Sequence, residues 1–174
     1  AYTGTVMADH DLYTYSNRTQ EAFSKCGICS NTVPLELNYK ELRHRDCSNS
    51  ELFIYGYLPL MVSAGCIFKS LRKCQKKESL CYLKDRYGKR FAVRNYCTDC
   101  YNILYNSSPL ALFGMQQEVE SIHPKSLRMQ FTTESVKETE KILSFFEKIY
   151  IQKGKWEQND WKDYTNGHMK RGVE

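Results

Sequence analysis

The stretch from Cys66 to Cys100 constrains this chain more than any other. It reads Cys66-x7-Cys74, then a strand-turn-strand segment from Cys81 to Arg94, then Cys97-Thr98-Asp99-Cys100. Two short loops tied together by a hairpin thereby deliver four thiols. A tetrahedral sulfur centre needs such paired ligands on turns that something rigid holds in place. Cys66, Cys74, Cys97 and Cys100 are therefore read as a metal or cluster site. Zinc and a [4Fe-4S] cluster both suit thiolate ligation, and the spacing favours neither.

Two other uses of the thiols compete with this one. Eight cysteines in 174 residues are an even count, as a disulfide framework would have. Against that, no charged-then-apolar leader with a small-residue cleavage site opens the sequence, and the chain exceeds the size at which a domain depends on staples. Cys26-Gly27-Ile28-Cys29 could also join Cys97 and Cys100 in a zinc ribbon. That would pair loops about 70 residues apart, where about 15 to 20 is usual, and Cys26 and Cys29 equally suit the end of a helix.

The length suits one domain that buries on the order of 70% of its extended surface. No apolar run approaches the roughly 20 residues of a membrane span. The balance of 25 Lys and Arg against 20 Asp and Glu suits a polyanionic partner and equally a soluble surface.

Strand and helix signals alternate. A short strand around Val6–Tyr13 is followed by a helix capped by Ser16 or Asn17 that runs to about Lys25, with Gln20 in capping-box register to Asn17. Next come a strand over Thr32–Asn38 with Pro34 near its start, a short helix over Tyr39–His44, and the apolar run Glu51–Gly56, which has the character of a buried parallel strand. After the cysteine segment the pattern predicts a strand over Tyr101–Asn106, a turn or short helix over Pro109–Leu112, and a strand over Ser126–Phe131. A long helix capped by Thr132 or Thr133 then runs from Glu134 to about Tyr150, with Val136, Ile142, Leu143, Phe146 and Ile149 as its apolar face. This rhythm argues for an α/β fold with a parallel sheet. Residues 1–150 form the α/β domain, 64–101 its cysteine-rich insertion, and 151–174 an irregular tail docked on the body through its two tryptophans.

Several strings resemble peptidase family U-32, the collagenase-like peptidases. They are Glu51-Leu52-Phe53-Ile54-Tyr55-Gly56, Pro59-Leu60-Met61-Val62-Ser63-Ala64-Gly65-Cys66, Leu83-Lys84-Asp85-Arg86, Cys97-x2-Cys100-Tyr101-Asn102-x2-Tyr105-Asn106-Ser107, and the closing Gly167-His168-x2-Arg171-Gly172-Val173. Together they run from Glu51 to Val173. Where other branches carry a cysteine just after the Tyr-Gly string this chain has Pro59, and Cys74 is the natural replacement.

The resemblance implies the C-terminal half of a TIM-like (β/α) barrel with a cysteine-rich hairpin insertion, whose missing N-terminal half would be its partner. Barrel chemistry sits at the carboxyl ends of strands, which would gather Asp9, His10, Glu36, Asn38, Tyr55, Asn106 and the cysteine segment on one face. Glu36 is the expected catalytic carboxylate. Asn38, Tyr55, Arg86, Asn106, His168 and Arg171 are the expected substrate-binding residues. The family name implies a hydrolase acting on protein. Other branches imply cluster-dependent hydroxylation of RNA or of a small aromatic precursor, with four cysteines holding [4Fe-4S]. The residues themselves lend the hydrolase little: the four histidines (10, 44, 123 and 168) are isolated, no His-Glu-x-x-His or Gly-x-Ser-x-Gly string occurs, and four thiolates saturate a metal. A non-catalytic RNA-binding or structural module is the remaining alternative. Only about five strands are evident, so open sheet edges and self-association are expected of the chain, in a cytoplasmic setting.

Overall fold

The computed structural model describes residues 4–71, 74, 76–157 and 161–173. Two sheets organise them. In the first, three strands run parallel in chain order: β1 (Met7–Ala8), β2 (Ser30–Thr32) and β3 (Ser50–Gly56). Helix α1 (Asn17–Lys25) connects β1 to β2, and the short α2 (Tyr39–Leu42) connects β2 to β3. In the second, four strands run antiparallel: β4 (Pro59–Ser63), β5 (Ser79–Lys84), β6 (Arg90–Tyr96) and β7 (Tyr101–Tyr105), in the spatial order β4-β7-β6-β5. Helix α3 (Ile67–Leu71) lies between β4 and β5 in the chain.

The chain then returns to the first sheet. Strand β8 (Leu110–Ala111) pairs antiparallel with the end of β3, helix α4 (Gln116–Ser121) follows, and β9 (Ser126–Gln130) pairs parallel with β3 along its length. Since β9 fills one edge of β3 and β2 the start of the other, β8 must take the rest of β2's side. Helix α5 (Val136–Phe146) and a π-helical turn at Glu147–Ile151 close the α/β part. Four parallel strands in the order β1-β2-β3-β9 agree with the expected α/β class. No sheet closes into a barrel among the described residues.

Local chemistry explains where the elements depart from expectation. The first strand stops at Ala8, because Asp9 accepts from the His10 N–H and starts a 3-10 turn over His10–Leu12. Ser16 caps α1 through the Thr19 N–H, while Gln20 Nε2 reaches Asn17 Oδ1, so the expected box partner serves as a side-chain brace. Strand β2 ends at Thr32, before Pro34, which has no N–H for a ladder. A turn over residues 34–37 leads instead to Asn38, whose side chain caps α2 in a full capping box with Glu41. Leu110–Ala111 is a strand rather than a turn or helix. Ser135, not Thr132 or Thr133, caps α5, since the N–H groups of both threonines are bound by the Glu134 carboxylate. On α5 and the turn after it, Ile142 and Ile149 are buried and Phe145 and Phe146 pack against the core, whereas Val136 and Leu143 are exposed. Tyr101–Asn106, expected to resume the parallel rhythm, belongs to the antiparallel sheet.

The core lies under β3. Phe113 stacks on Tyr55 and Trp156 (6.3 and 5.6 Å between ring centres), Phe145 meets Trp156 edge-on at 5.2 Å, and Tyr150 donates to the Leu112 carbonyl at 2.9 Å. The tail joins this cluster: Trp156, Trp161 and Tyr164 pack against it and Met169 is buried. Arg45, also buried, donates to Asn31 Oδ1 (2.6 Å), Ser50 Oγ (2.9 Å) and the Thr14 carbonyl (2.9 Å), tying β2, β3 and the segment after β1 together. No described helix is long and apolar enough to cross a membrane.

Candidate functional site

The four expected thiols come from three places around the antiparallel sheet. Cys66 stands at the start of α3, Cys74 before β5, and Cys97 and Cys100 in the turn between β6 and β7. They meet at Cys97. Burial pushes the Cys97 thiol up and Cys74 adds to the rise; the Asn95 amide opposes it, and Cys66 and Cys100 raise it further. The four thiols do not form a metal-binding cluster: among the described residues no three His, Cys, Asp or Glu are arranged to hold a metal ion. Cys97 instead donates to the Lys77 carbonyl at 3.1 Å and accepts from Asn95 Nδ2 at 3.3 Å. The donor set is all sulfur, which fits a soft metal or an iron–sulfur cluster. All eight cysteines are free thiols, with Cys26 and Cys29 exposed at the end of α1, remote in the fold from β6.

At the other end of the antiparallel sheet lies a cleft of about 240 Å³, lined by Tyr57, Tyr82, Arg90, Asn106, Glu134 and Glu138 among others. Tyr57 follows β3 and Thr133 and Glu134 follow β9, so the cleft borders the carboxyl ends of those strands, where α/β sheets place their ligands. Tyr55 Oη donates to Glu134 Oε1 at 2.8 Å, while Glu134 Oε2 accepts from the Thr132 and Thr133 N–H groups at 2.6 and 2.9 Å. Burial and then the Glu134 carboxylate push the Tyr55 hydroxyl far up. Tyr57 is pushed up to about 12 by burial, then by Glu134, Asp163 and Glu138. Both tyrosines therefore stay protonated, and Tyr55 is the donor to Glu134.

One face of the antiparallel sheet forms the wall of this cleft. Along β6 the alternating residues Arg90, Ala92, Arg94 and Tyr96 point the same way. Arg94 Nη1 donates to the Thr132 carbonyl and so docks the face on the end of β9. Arg90 lies over the Tyr82 ring at 4.4 Å, Arg94 over Tyr96 at 5.9 Å, and Tyr96 stacks on Tyr101 at 4.8 Å. The result is a ladder of guanidinium groups and aromatic rings. Residues 69–94 hold ten Lys and Arg against Glu78 and Asp85, while the whole chain is only +5. The positive charge is thus concentrated on the insertion and the remainder is net acidic.

The expected site residues are dispersed over several places. Asn106 lines the cleft, whereas Tyr55 is buried in the core and reaches the cleft only through its hydrogen bond to Glu134. Asn38 caps α2, where the tail turn docks: the Tyr39 N–H donates to the Met169 carbonyl at 2.9 Å, and Asn38 Nδ2 touches Gly172, where an added Cβ would lie 2.6 Å away. His168 Nδ1 contacts the Gly172 carbonyl at 2.9 Å, and the Arg171 N–H donates to the His168 carbonyl, so these three sit together in a structural turn. Glu36 lies in the turn after β2 against Tyr15, whose hydroxyl is pushed up by burial and by that carboxylate. Arg86 lies over Tyr87 at the hairpin tip. Asp9, held below the usual carboxylate range although burial opposes it, takes the His10 N–H and pairs with Arg128 at 2.9 Å.

Sequence reasoning passed over Glu134, Tyr57, Tyr82 and Arg90. For Glu134 there was a signal: an acid placed directly after the strand Ser126–Phe131, at its carboxyl end. Tyr82 and Arg90 required the register of the hairpin, which pairs Tyr82 with Ala92 and Lys84 with Arg90. Compared with known proteins, the chain matches no family model, no curated protein and no solved structure.

Proposed function

We propose that this chain is the C-terminal part of the catalytic domain of a protein of the U-32, collagenase-like kind, and that it modifies RNA with the aid of a four-thiol centre. The observation that carries the reading is the Arg–Tyr ladder on the basic insertion, set against the Glu134 cleft. Stacked rings and guanidinium planes receive unpaired bases, and the surrounding lysines and arginines receive phosphates. From Arg90 to Cys97 is seven residues of extended chain, about 23 Å. A ligand that meets both the cleft and the thiol end is therefore a strand of polymer, which favours RNA over a small aromatic precursor. Glu134, held by Tyr55 and two backbone N–H groups, is the group positioned to accept or return a proton in the cleft.

Cys66, Cys74, Cys97 and Cys100 would hold the centre, and as [4Fe-4S] it would supply one-electron chemistry, whereas zinc would pin the loops. The sequential parallel strands support a half-barrel, with the free edges of β1 and β9 as the places where the N-terminal half, or a second copy, would pair. Reduced thiols suit a cytoplasmic setting.

The test has two parts. Protein purified without oxygen is assayed for iron, sulfide and zinc beside the Cys97→Ser, Cys100→Ser variant, and binding of single-stranded RNA is measured against salt for wild type, Tyr82→Ala and Arg90→Ala. The expected results are iron and sulfide lost in the cysteine variant, and RNA affinity that falls steeply with salt and about tenfold in either ladder variant. Salt-independent binding that ignores the ladder would end the RNA reading. A hydrolase acting on protein is the second reading, favoured by the two carboxylates, Glu134 and Glu138, at one cleft. Cleavage of denatured collagen that Glu134→Gln abolishes would establish it.

A further inference from the structure

The antiparallel sheet has two edges, and the sequence treats them differently. In the order β4-β7-β6-β5, β4 is paired on one side by β7 and β5 on one side by β6, and each has no strand on its other side among the described residues. An open edge presents a row of N–H and C=O groups to any other strand, and proteins commonly blunt it with charge, lysine above all. The β5 edge is guarded in this way: Lys76, Lys77 and Glu78 precede it, Lys84 ends it, and Asp85, Arg86 and Lys89 follow. The β4 edge has no such guard. No residue from Leu52 to Phe68 is charged, and Leu60, Met61 and Val62 are 53%, 53% and 65% exposed. Successive strand residues point to opposite faces, so β4 shows apolar side chains on both faces of the sheet as well as a free ladder. A strand laid along the edge covers all three.

We infer that β4 pairs antiparallel with β4 of a second copy of this chain, about a two-fold axis through Met61. Self-complementarity argues for the second copy. In that register Met61 lies opposite its own counterpart and Leu60 opposite Val62, so each apolar residue meets an apolar one, as a two-fold interface requires. Charge argues for it too. Residues 69–94 hold ten Lys and Arg against Glu78 and Asp85, and most of them belong to β5, β6 and their flanks, on the far side of β7 from β4. Pairing through β4 joins the two sheets into one and keeps the basic segments at its opposite ends, whereas pairing through β5 would bring them together. Five residues per copy make a small interface, so the association is reversible and of micromolar strength.

The experiment is sedimentation equilibrium of the full chain, under reducing conditions, across the micromolar range. Wild type is compared with Met61→Lys, with Leu60→Lys, with Leu60→Lys and Val62→Glu together, and with Leu80→Lys on the guarded edge. Wild type should rise reversibly toward twice the 20.4 kDa of one chain. Met61→Lys sets two ammonium groups opposite each other on the axis, and association should weaken at least about tenfold. Leu60→Lys should weaken it as well, and adding Val62→Glu to the same chain should restore it, because the register places each new lysine opposite a new glutamate of the other copy. Leu80→Lys should change nothing. All four positions are exposed, so urea unfolding in dilute solution should match wild type in every variant, which separates lost association from lost fold. A wild type that stays at 20.4 kDa would overturn the inference and leave the edge to a different chain. A dimer indifferent to Met61→Lys would overturn it by moving the contact to another edge, and an equal loss in Leu80→Lys would reduce the effect to added charge. Failure of the paired substitutions to restore the dimer would overturn the two-fold register.

Discussion

The two sheets solve the problem of stability differently. In β3 six of seven residues are buried, as in a parallel strand covered on both faces, and beneath it Phe113, Tyr55, Phe145, Tyr150 and Trp156 form a continuous aromatic cluster. In the antiparallel sheet the edge strands are largely exposed, with Leu60, Met61 and Val62 more than half open to solvent. Its interior is Ala92, Val93 and Tyr105 together with two asparagines. The first sheet is held by the burial of apolar surface. The second is held by its ladder, by Arg94 on Thr132 and, in the proposed function, by metal. A region so lightly packed is free to carry charge and exposed rings, which the first sheet cannot do without losing its core.

The largest expected effect follows from the first sheet. Phe113 is 1% exposed at the centre of the aromatic cluster, so Phe113→Ala leaves a cavity that its four ring neighbours cannot fill. A loss of about 3 to 5 kcal/mol in urea-induced unfolding is expected, with both sheets lost together. A loss under about 1 kcal/mol would mean that the cluster is not what holds β3.

A smaller and local effect is expected in the second sheet. Val93 is the most buried apolar residue of β6, and Val93→Ala should cost about 2 kcal/mol. Hydrogen exchange should accelerate at the amides of β5, β6 and β7 while those of β3 keep their protection. Equal acceleration in β3 would show the two sheets to be one cooperative unit, and the contrast between them would be withdrawn.

The same contrast decides how much was legible in the sequence. Glu51–Gly56 was evident as a buried strand because every position is constrained from both faces, and the hairpin of β5 and β6 because its turn residues, Asp85 to Lys89, close it locally. Pro59–Ser63 was not read as a strand, since its exposed apolar residues have neither clean alternation nor burial to mark them. Glu134 was counted as helix because its local signal is helical, whereas its two backbone donors and Tyr55 come together only in the fold. The thiols were visible as spacing. The two buried asparagines were not, because Asn95 and Asn102 become a pair only through the register of β6 on β7.

The smallest effect tests whether the cap of α5 serves the first sheet alone. Ser135 Oγ donates to Glu138 Oε2 at 2.7 Å, and the Ser135 N–H donates to the same oxygen at 2.7 Å. These bonds, outweighing burial, hold the Glu138 carboxyl below its ordinary value of 4.5. A carboxyl lowered in the folded state contributes stability that is full above that ordinary value and is lost as pH falls through the folded one. Ser135→Ala removes the hydroxyl bond and the Oγ cap while leaving the backbone N–H, so a loss of about 1 kcal/mol near neutral pH is expected. The difference from wild type should shrink as the pH falls below 4.5, where Glu138 is protonated in the unfolded chain. A difference that stayed constant into acid would assign the whole effect to the Oγ cap. Faster exchange in β5 or β6 would show that α5 supports the insertion as well, through the Glu134–Glu138 side of the cleft.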